Sequence, residues 1–207
     1  MKLAARPLDH LPGDDEQMTP PAIRLRPFAR ADLAIVDPWF RDPDTRRYLG
    51  GPEWPASMLD HAARAVGMEF RGAIQTGAYR YLAQTAGGAI GYIDCGTFDR
   101  CTVYGGEGND GPIITESIDV ATGSIAFVID PHLRRRGLAR AMIAALLKRT
   151  ELGFVELFEA GVEPANTASR RCLEAAGVAL RSKAPDWEGM LYYRAWRRQS
   201  EHATGLA

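Results

Sequence analysis

The segment Phe127-Val-Ile-Asp-Pro-His-Leu-Arg-Arg-Arg-Gly-Leu-Ala-Arg140 restricts the fold more tightly than any other part of the chain. Ser124 to Ile129 is an apolar run of strand length, and Asp130-Pro131 ends it, because proline has no N–H for a ladder. Gly137 then opens a helix expected to reach Thr150, with Leu138, Ala141, Met142, Ala145 and Leu146 on one stripe. A strand that turns directly into an amphipathic helix stacks that helix on a sheet. The turn also has a pronounced chemical character. Glycine lets a ligand approach the backbone, and a helix N-terminus gathers unpaired N–H groups and positive dipole. Arg134, Arg135, Arg136 and Arg140 add cationic donors. The combination suits a diphosphate, although a basic turn is also a common solvated connection.

A second segment favours the diphosphate reading: Val162-Glu-Pro-Ala-Asn-Thr-Ala-Ser-Arg-Arg-Cys-Leu-Glu-Ala-Ala-Gly-Val178. Asn166 is a strong N-cap for a helix from Thr167 to Ala176, and Gly177 stands where a helix stop is expected. Arg134 to Ala139 fits Gln/Arg-x-x-Gly-x-Gly/Ala. Asn166, Ser169, Glu174 and Gly177 fit Asn-x-x-Ala/Ser running into Glu-x-x-Gly, with Val178 in a phenylalanine place. With Ile23-Arg-Leu-Arg-Pro-Phe28 and Asp42-Pro-Asp-Thr-Arg-Arg-Tyr-Leu49 at the front, the chain resembles the GNAT superfamily of acetyl-CoA-dependent N-acetyltransferases. It is most similar to the subgroup holding ribosomal-protein alanine N-acetyltransferases and aminoglycoside acetyltransferases, and the resemblance spans residues 23–197.

The resemblance implies an α/β fold, the GNAT fold, whose mixed, mostly antiparallel sheet has splayed central strands and flanking helices. It implies acetyl-CoA as co-substrate and a primary amine, on a small molecule or a peptide, as the direct nucleophile. By position, backbone groups of Val128, Ile129 and Asp130 would bind the pantetheine arm, with Val128 polarising the thioester. Arg134, Arg135, Arg136, Gly137, Leu138, Ala139 and Arg140 would hold the diphosphate. Asn166 would touch the cysteamine end, and Ser169 would assist the leaving thiolate. Locally, Asn166 also reads as a plain N-cap and Ser169 as a first-turn serine serving its own backbone.

Two departures matter. The family's tyrosine general acid falls here on Leu173, and its strand glutamate on Ser124. An ammonium has no lone pair, and a lysine-like amine has a pKa of about 10.4, so a base is useful. Asp94, Glu116, Asp119 and Glu159 are candidates, and exposed carboxylates of no function are the alternative. A non-catalytic acyl-CoA-binding or sensing module therefore stands beside the enzyme reading.

Other features narrow the class. The 207 residues suit one domain: a mobile leader over 1–22, a folded part over 23–197 and a polar tail over 198–207. A net charge of −1 gives no general pull toward nucleic acid or an anionic membrane. Three cysteines without Cys-x-x-Cys spacing and scattered histidines suggest neither a disulfide framework nor a metal site. With no apolar leader or membrane-length run, a cytoplasmic location is expected. The sequence is compatible with a homodimer.

Strands are expected at Ile23–Phe28, Arg80–Thr85, Ala89–Cys95, Phe154–Val162, Val178–Ser182 and Gly189–Tyr193, and helices at Ala31–Phe40 and Trp54–Phe70. Arg41 to Pro55 reads as a connection, and Gly96 to Gly123 as a flexible, glycine-rich hairpin loop. Gly106-Glu-Gly-Asn-Asp-Gly111 matches Gly-x-Gly-x-x-Gly formally, but Pro112-Ile-Ile follows where a dinucleotide site needs a helix. The acceptor is expected between the early helices and the terminal hairpin, with Trp39, Tyr48, Trp54 and Trp187 as walls. Asp186 and Glu188 would attract a cation there.

Overall fold

Apolar alternation along six long segments is satisfied by one eight-stranded sheet. The computed structural model describes residues 22–197, the side chains of Ala62 and Ala63 excepted. The expected leader up to residue 21 and the tail from 198 lie outside these residues. In chain order the elements are β1 (Arg24–Pro27), α1 (Leu33–Arg41), α2 (Pro43–Leu49), α3 (Glu53–Ala65), β2 (Glu69–Phe70), β3 (Ala73–Thr85) and β4 (Gly88–Phe98). There follow β5 (Cys101–Gly108), β6 (Gly111–Ile118), β7 (Thr122–Ile129), α4 (Leu138–Leu147), β8 (Leu157–Val162), α5 (Thr167–Ala175), β9 (Ala179–Leu180) and β10 (Leu191–Trp196). The sheet runs β1-β3-β4-β7-β8-β10-β9, with β2 beside β3, and β5 and β6 form a separate hairpin. Every pairing is antiparallel except that of β7 with β8.

Each face of the sheet has its own core. Ile93, Ile125, Ile129, Phe158, Ala160 and Tyr193 pack with Met142, Ile143 and Leu146 of α4 and Leu173 of α5. On the other face Leu82, Tyr92 and Val128 pack with Phe28 and with Val36, Trp39 and Phe40 of α1. The strand period of two thus sends alternate residues to two different helical layers, which is why β4 is buried along most of its length.

Three expectations change. The helix placed over Trp54–Phe70 stops at Ala65, because Gly67 turns the chain at φ 85° and Phe70 pairs with Ala73. The connection Arg41–Pro55 contains α2: Asp42 accepts the Thr45 N–H at 3.1 Å and Pro43 opens the helix. The stretch Gly96–Gly123 is mostly strand, since β4 runs to Phe98, β7 starts at Thr122, and β5 and β6 lie between them. Gly106–Gly111 spans the tip of that hairpin rather than a strand-to-helix turn.

The packing of β4 under α4 leaves little slack. A Cβ on Gly91 would lie 2.7 Å from the Val128 carbonyl oxygen and 3.0 Å from Met142 Sδ. Gly91→Ala should therefore destabilise the fold by about 1–3 kcal/mol, as overpacking does. A urea melt checks this; an unmoved midpoint would mean that sheet and helix separate freely.

Candidate functional site

Parallel pairing of β7 with β8 lasts only from Thr122–Leu157 to Ser124–Glu159. Beyond that rung the strands part. Two contacts fix which backbone groups line the split. Ala121 O accepts the Leu157 N–H, and Asp130 N–H donates to Ile90 O. Strand alternation then turns the odd-numbered residues of β7 toward β8 and the even-numbered ones toward β4. Past the last rung, the N–H and C=O groups of Phe127 and Ile129 have no ladder partner among the described residues, with Gly161 of β8 across from them. The expected roles shift accordingly. Val128 pairs with Tyr92 in the β4 ladder, and the Asp130 N–H is taken by Ile90, so neither offers the expected group to the split. Of the three residues, only Ile129 does. Ladder parity is a pairing property and leaves no mark in sequence.

Because β7 and β8 are parallel, the helices that follow them begin at the same end of the sheet, where α/β crevices form. Gly137 caps α4 in the left-handed region (φ 71°), with no side-chain cap, after Arg135, itself left-handed at φ 64°. The first intrahelical bond there is from Ala141 N–H to Gly137 O. The N–H groups of Leu138, Ala139 and Arg140 are therefore left without an intrahelical acceptor. A Cβ on Gly137 would meet nothing within 4 Å, so the cradle is open. Arg135, Arg136 and Arg140 are exposed. Arg134 is not available in the same way: its Nη2 donates to Asp42 Oδ2 (2.6 Å) and Thr45 Oγ1 (2.8 Å), tying the loop to α2. Burial acts to raise the Asp42 carboxyl, but the Arg134 and Thr45 bonds outweigh it and hold the group below its ordinary range.

Asn166 caps α5, its Oδ1 accepting the Ser169 N–H at 3.2 Å. This leaves the Asn166 amide NH2 without a role in the cap, and the half-buried Ser169 sits in the first turn.

The candidate bases divide by setting. Asp94 lies 2.7 Å from Arg80 Nε and accepts the Tyr92 hydroxyl at 3.1 Å; burial raises its carboxyl against the pull of Arg80. Glu159 accepts Arg194 Nε at 3.1 Å and the Cys101 thiol at 3.5 Å, and burial raises it too. Glu116 pairs with Arg181 and lies 3.6 Å from Arg194. Asp119 is exposed in the turn before β7. Three of the four are thus committed to arginines, and the fourth precedes β7, whose opposite end leads into the basic turn. Burial pushes the Cys101 thiol up to about 12, which leaves it a packed, protonated group.

On the face away from α4 and α5, the registers align Gly96, Ser124 and Ala126 with Gly161 as a floor of small residues beside the split. Next to this floor the hairpin β5–β6 and the turn before β10 enclose a recess of about 280 Å³, lined among others by Tyr104, Arg181, Asp186, Trp187, Met190 and Tyr192. Trp187, 65% exposed, stands edge-on to Tyr104 with ring centroids 5.6 Å apart. Arg71 joins the two walls: it donates to Glu188 (2.7 Å) and lies 4.3 Å from the Tyr104 ring centroid. Asp186 Oδ1 accepts the N–H groups of Glu188 and Met190, whereas its buried Oδ2 has no partner among the described residues. Of the expected aromatic walls, only Trp187 belongs here. Trp39 is buried, Trp54 stacks on Phe40, and half-buried Tyr48 lies under Arg47 on α2. A groove of about 580 Å³ between β1 and the end of α4 lies at the sheet edge, with β3 and β4 between it and the split.

The chain matches the acetyltransferase (GNAT) domain family over residues 22–179. It is 22% identical over 172 residues to an uncharacterized N-acetyltransferase, YfmK, of Bacillus subtilis (strain 168), covering 81% of this chain and 93% of that protein. Among solved structures it resembles aminoglycoside acetyltransferase AAC(6')-Ib in complex with coenzyme A, with TM-score 0.60, 20% identity, and coverage of 85% of this chain and 95% of that one. It also resembles spermidine N-acetyltransferase from Vibrio cholerae in complex with CoA and spermine, with TM-score 0.53, 14% identity, and coverage of 83% and 92%. These two likenesses establish the fold.

Gly137→Glu fills the open cradle with a side chain and a negative charge. It should abolish acetyl-CoA binding in calorimetry, while folding stability falls by only about 1–2 kcal/mol for the left-handed backbone. Unchanged affinity would reject the loop assignment. Asn166→Ala should weaken that binding beyond the loss of about 1 kcal/mol of stability expected from the cap. A change confined to the melting temperature would leave Asn166 a cap only.

Proposed function

The chain belongs to the GNAT acetyltransferase family and is an acetyl-CoA-dependent N-acetyltransferase; we propose that its acceptor is a small cationic primary amine seated in the recess between the hairpin β5–β6 and the turn before β10. The observation that carries this is Asp186 Oδ2, a buried carboxylate oxygen with no partner among the described residues, at the wall of a recess that adjoins the split. Leaving such an oxygen unpaired is expensive, and an ammonium group would satisfy it. The exposed Trp187 ring offers a surface to a cation, whereas Glu188 and the Tyr104 ring are already engaged by Arg71.

The donor side follows from the chain's own groups. The N–H groups of Leu138, Ala139 and Arg140, with the guanidinium groups of Arg135, Arg136 and Arg140, hold the diphosphate. Arg134 acts indirectly, by fixing the loop to α2. Free backbone groups of Phe127 and Ile129 take the pantetheine arm, and one of their N–H groups polarises the thioester carbonyl. The Asn166 amide faces the cysteamine end. The orphaned helix N–H groups and the open space over Gly137 support this reading. Acetyl-CoA supplies the activated acetyl group; the chain supplies orientation, the N–H donor and a route for the proton.

Kanamycin, ribostamycin and spermidine form a suitable acceptor panel. Asp186→Asn should raise KM for whichever is turned over by about 10-fold or more, the size of a lost charge-assisted bond. Affinity for acetyl-CoA should hold within about two-fold. An unchanged KM would place the acceptor elsewhere.

A further inference from the structure

Tyr192 is the one phenol that reaches both the recess and the split. It lies on β10 opposite Gly161, the β8 residue that borders the split. A Cβ on Gly161 would stand 3.4 Å from Tyr192 Cε1 and 3.5 Å from its Cζ, so the hydroxyl-bearing end of the ring rests over the glycine. An alanine at position 161 would rest in van der Waals contact with the ring, and a larger side chain would compete with it for the space. Tyr192 also lines the recess, its ring is half-buried, and its hydroxyl bonds no described residue. Tyr193, by contrast, faces the α5 side, where its hydroxyl is bonded to Arg170 and Glu174. Burial first, then Asp186, Glu159 and Glu188, hold the Tyr192 phenol protonated well above its ordinary range.

We infer that Tyr192 is a catalytic residue, its hydroxyl carrying the proton between the acceptor nitrogen and the departing sulfur. This rests on the acceptor and donor placements proposed above. The amine nitrogen forms a bond to the acetyl carbon. The carbon–sulfur bond breaks with its electron pair passing to sulfur. The Tyr192 O–H gives its proton to sulfur, and the phenolic oxygen takes one from nitrogen. The attacking nitrogen first gives up its ammonium proton to bulk water; from that neutral amine, one further proton ends on the thiol and Tyr192 is regenerated. The relay accounts for a site in which three of the four candidate carboxylates are tied to arginines. Ser169, in α5 on the other face of the sheet, is separated from the recess.

The test is a cycle between Tyr192→Phe and the ligand sulfur. CoA and desulfo-CoA are titrated into the wild type and the variant, and the single-turnover rate of acetyl transfer is measured with the best acceptor of the panel. The wild type should prefer CoA over desulfo-CoA by about 2–10-fold, the value of one net hydrogen bond, and the variant should bind both equally. Transfer should slow by about 100-fold or more. A preference for CoA that survives in the variant, or a transfer rate within two-fold of wild type, overturns the assignment. If the wild type binds neither nucleotide, the donor-site reading fails along with it; if it binds both but turns over no amine, the sulfur cycle still decides for or against Tyr192.

Discussion

The three parallel rungs between β7 and β8 are the constraint on which the site depends. They hold two strands together just long enough to align the start of the crevice, then release them. Because the partners are parallel, both following helices point their N-termini at the same end of the sheet. Had β8 run antiparallel, α5 would begin at the other end, and Asn166 could not share a ligand with Gly137. The release matters as much as the pairing. Phe127 and Ile129 keep unpaired backbone groups only because β8 is no longer there to take them, and an apolar sheet interior tolerates such groups when a ligand can satisfy them.

Two polar devices hold the flanks in place. Arg134 anchors the basic turn to the cap of α2 through Asp42 and Thr45, which joins that turn to the early helices. On the other side, Arg194 joins Glu159 of β8, Cys101 of β5 and Glu116 of β6, and Arg181 also pairs with Glu116. This network sits where the hairpin meets the sheet, so the recess has a defined wall. Buried ion pairs add little net stability, but removing one partner strands the other charge, so such networks fix a single arrangement.

The strand, basic turn and helix proposed to hold the donor were largely legible in the sequence. A strand, an Asp-Pro stop, an arginine turn, a glycine and an amphipathic helix are each local signals, and they agree with one another. The early helix α1 and the β3–β4 hairpin were legible for the same reason. The hairpin and recess proposed for the acceptor were not. In the Gly96–Gly123 stretch, glycines and bulges interrupt the alternation that marks a strand, so β5 and β6 read as loop. The helix α2 was hidden inside a Pro/Gly-rich stretch, although Asp42-Pro43 is a cap signal that would have found it. Trp39 and Trp54 carried no sign that they serve the α1–α3 core rather than a cleft.

By itself, then, the chain determined many of the elements and the form of the basic turn, because caps, stops and apolar periods act between residues close in sequence. Only the tertiary structure decided which backbone groups face the split, since ladder parity is set by a partner strand. It alone showed that Arg134 is an anchor, because Asp42 is distant in sequence. It also brought Tyr192 over Gly161: β8 and β10 are separated by α5 and β9, and only sheet pairing makes them neighbours.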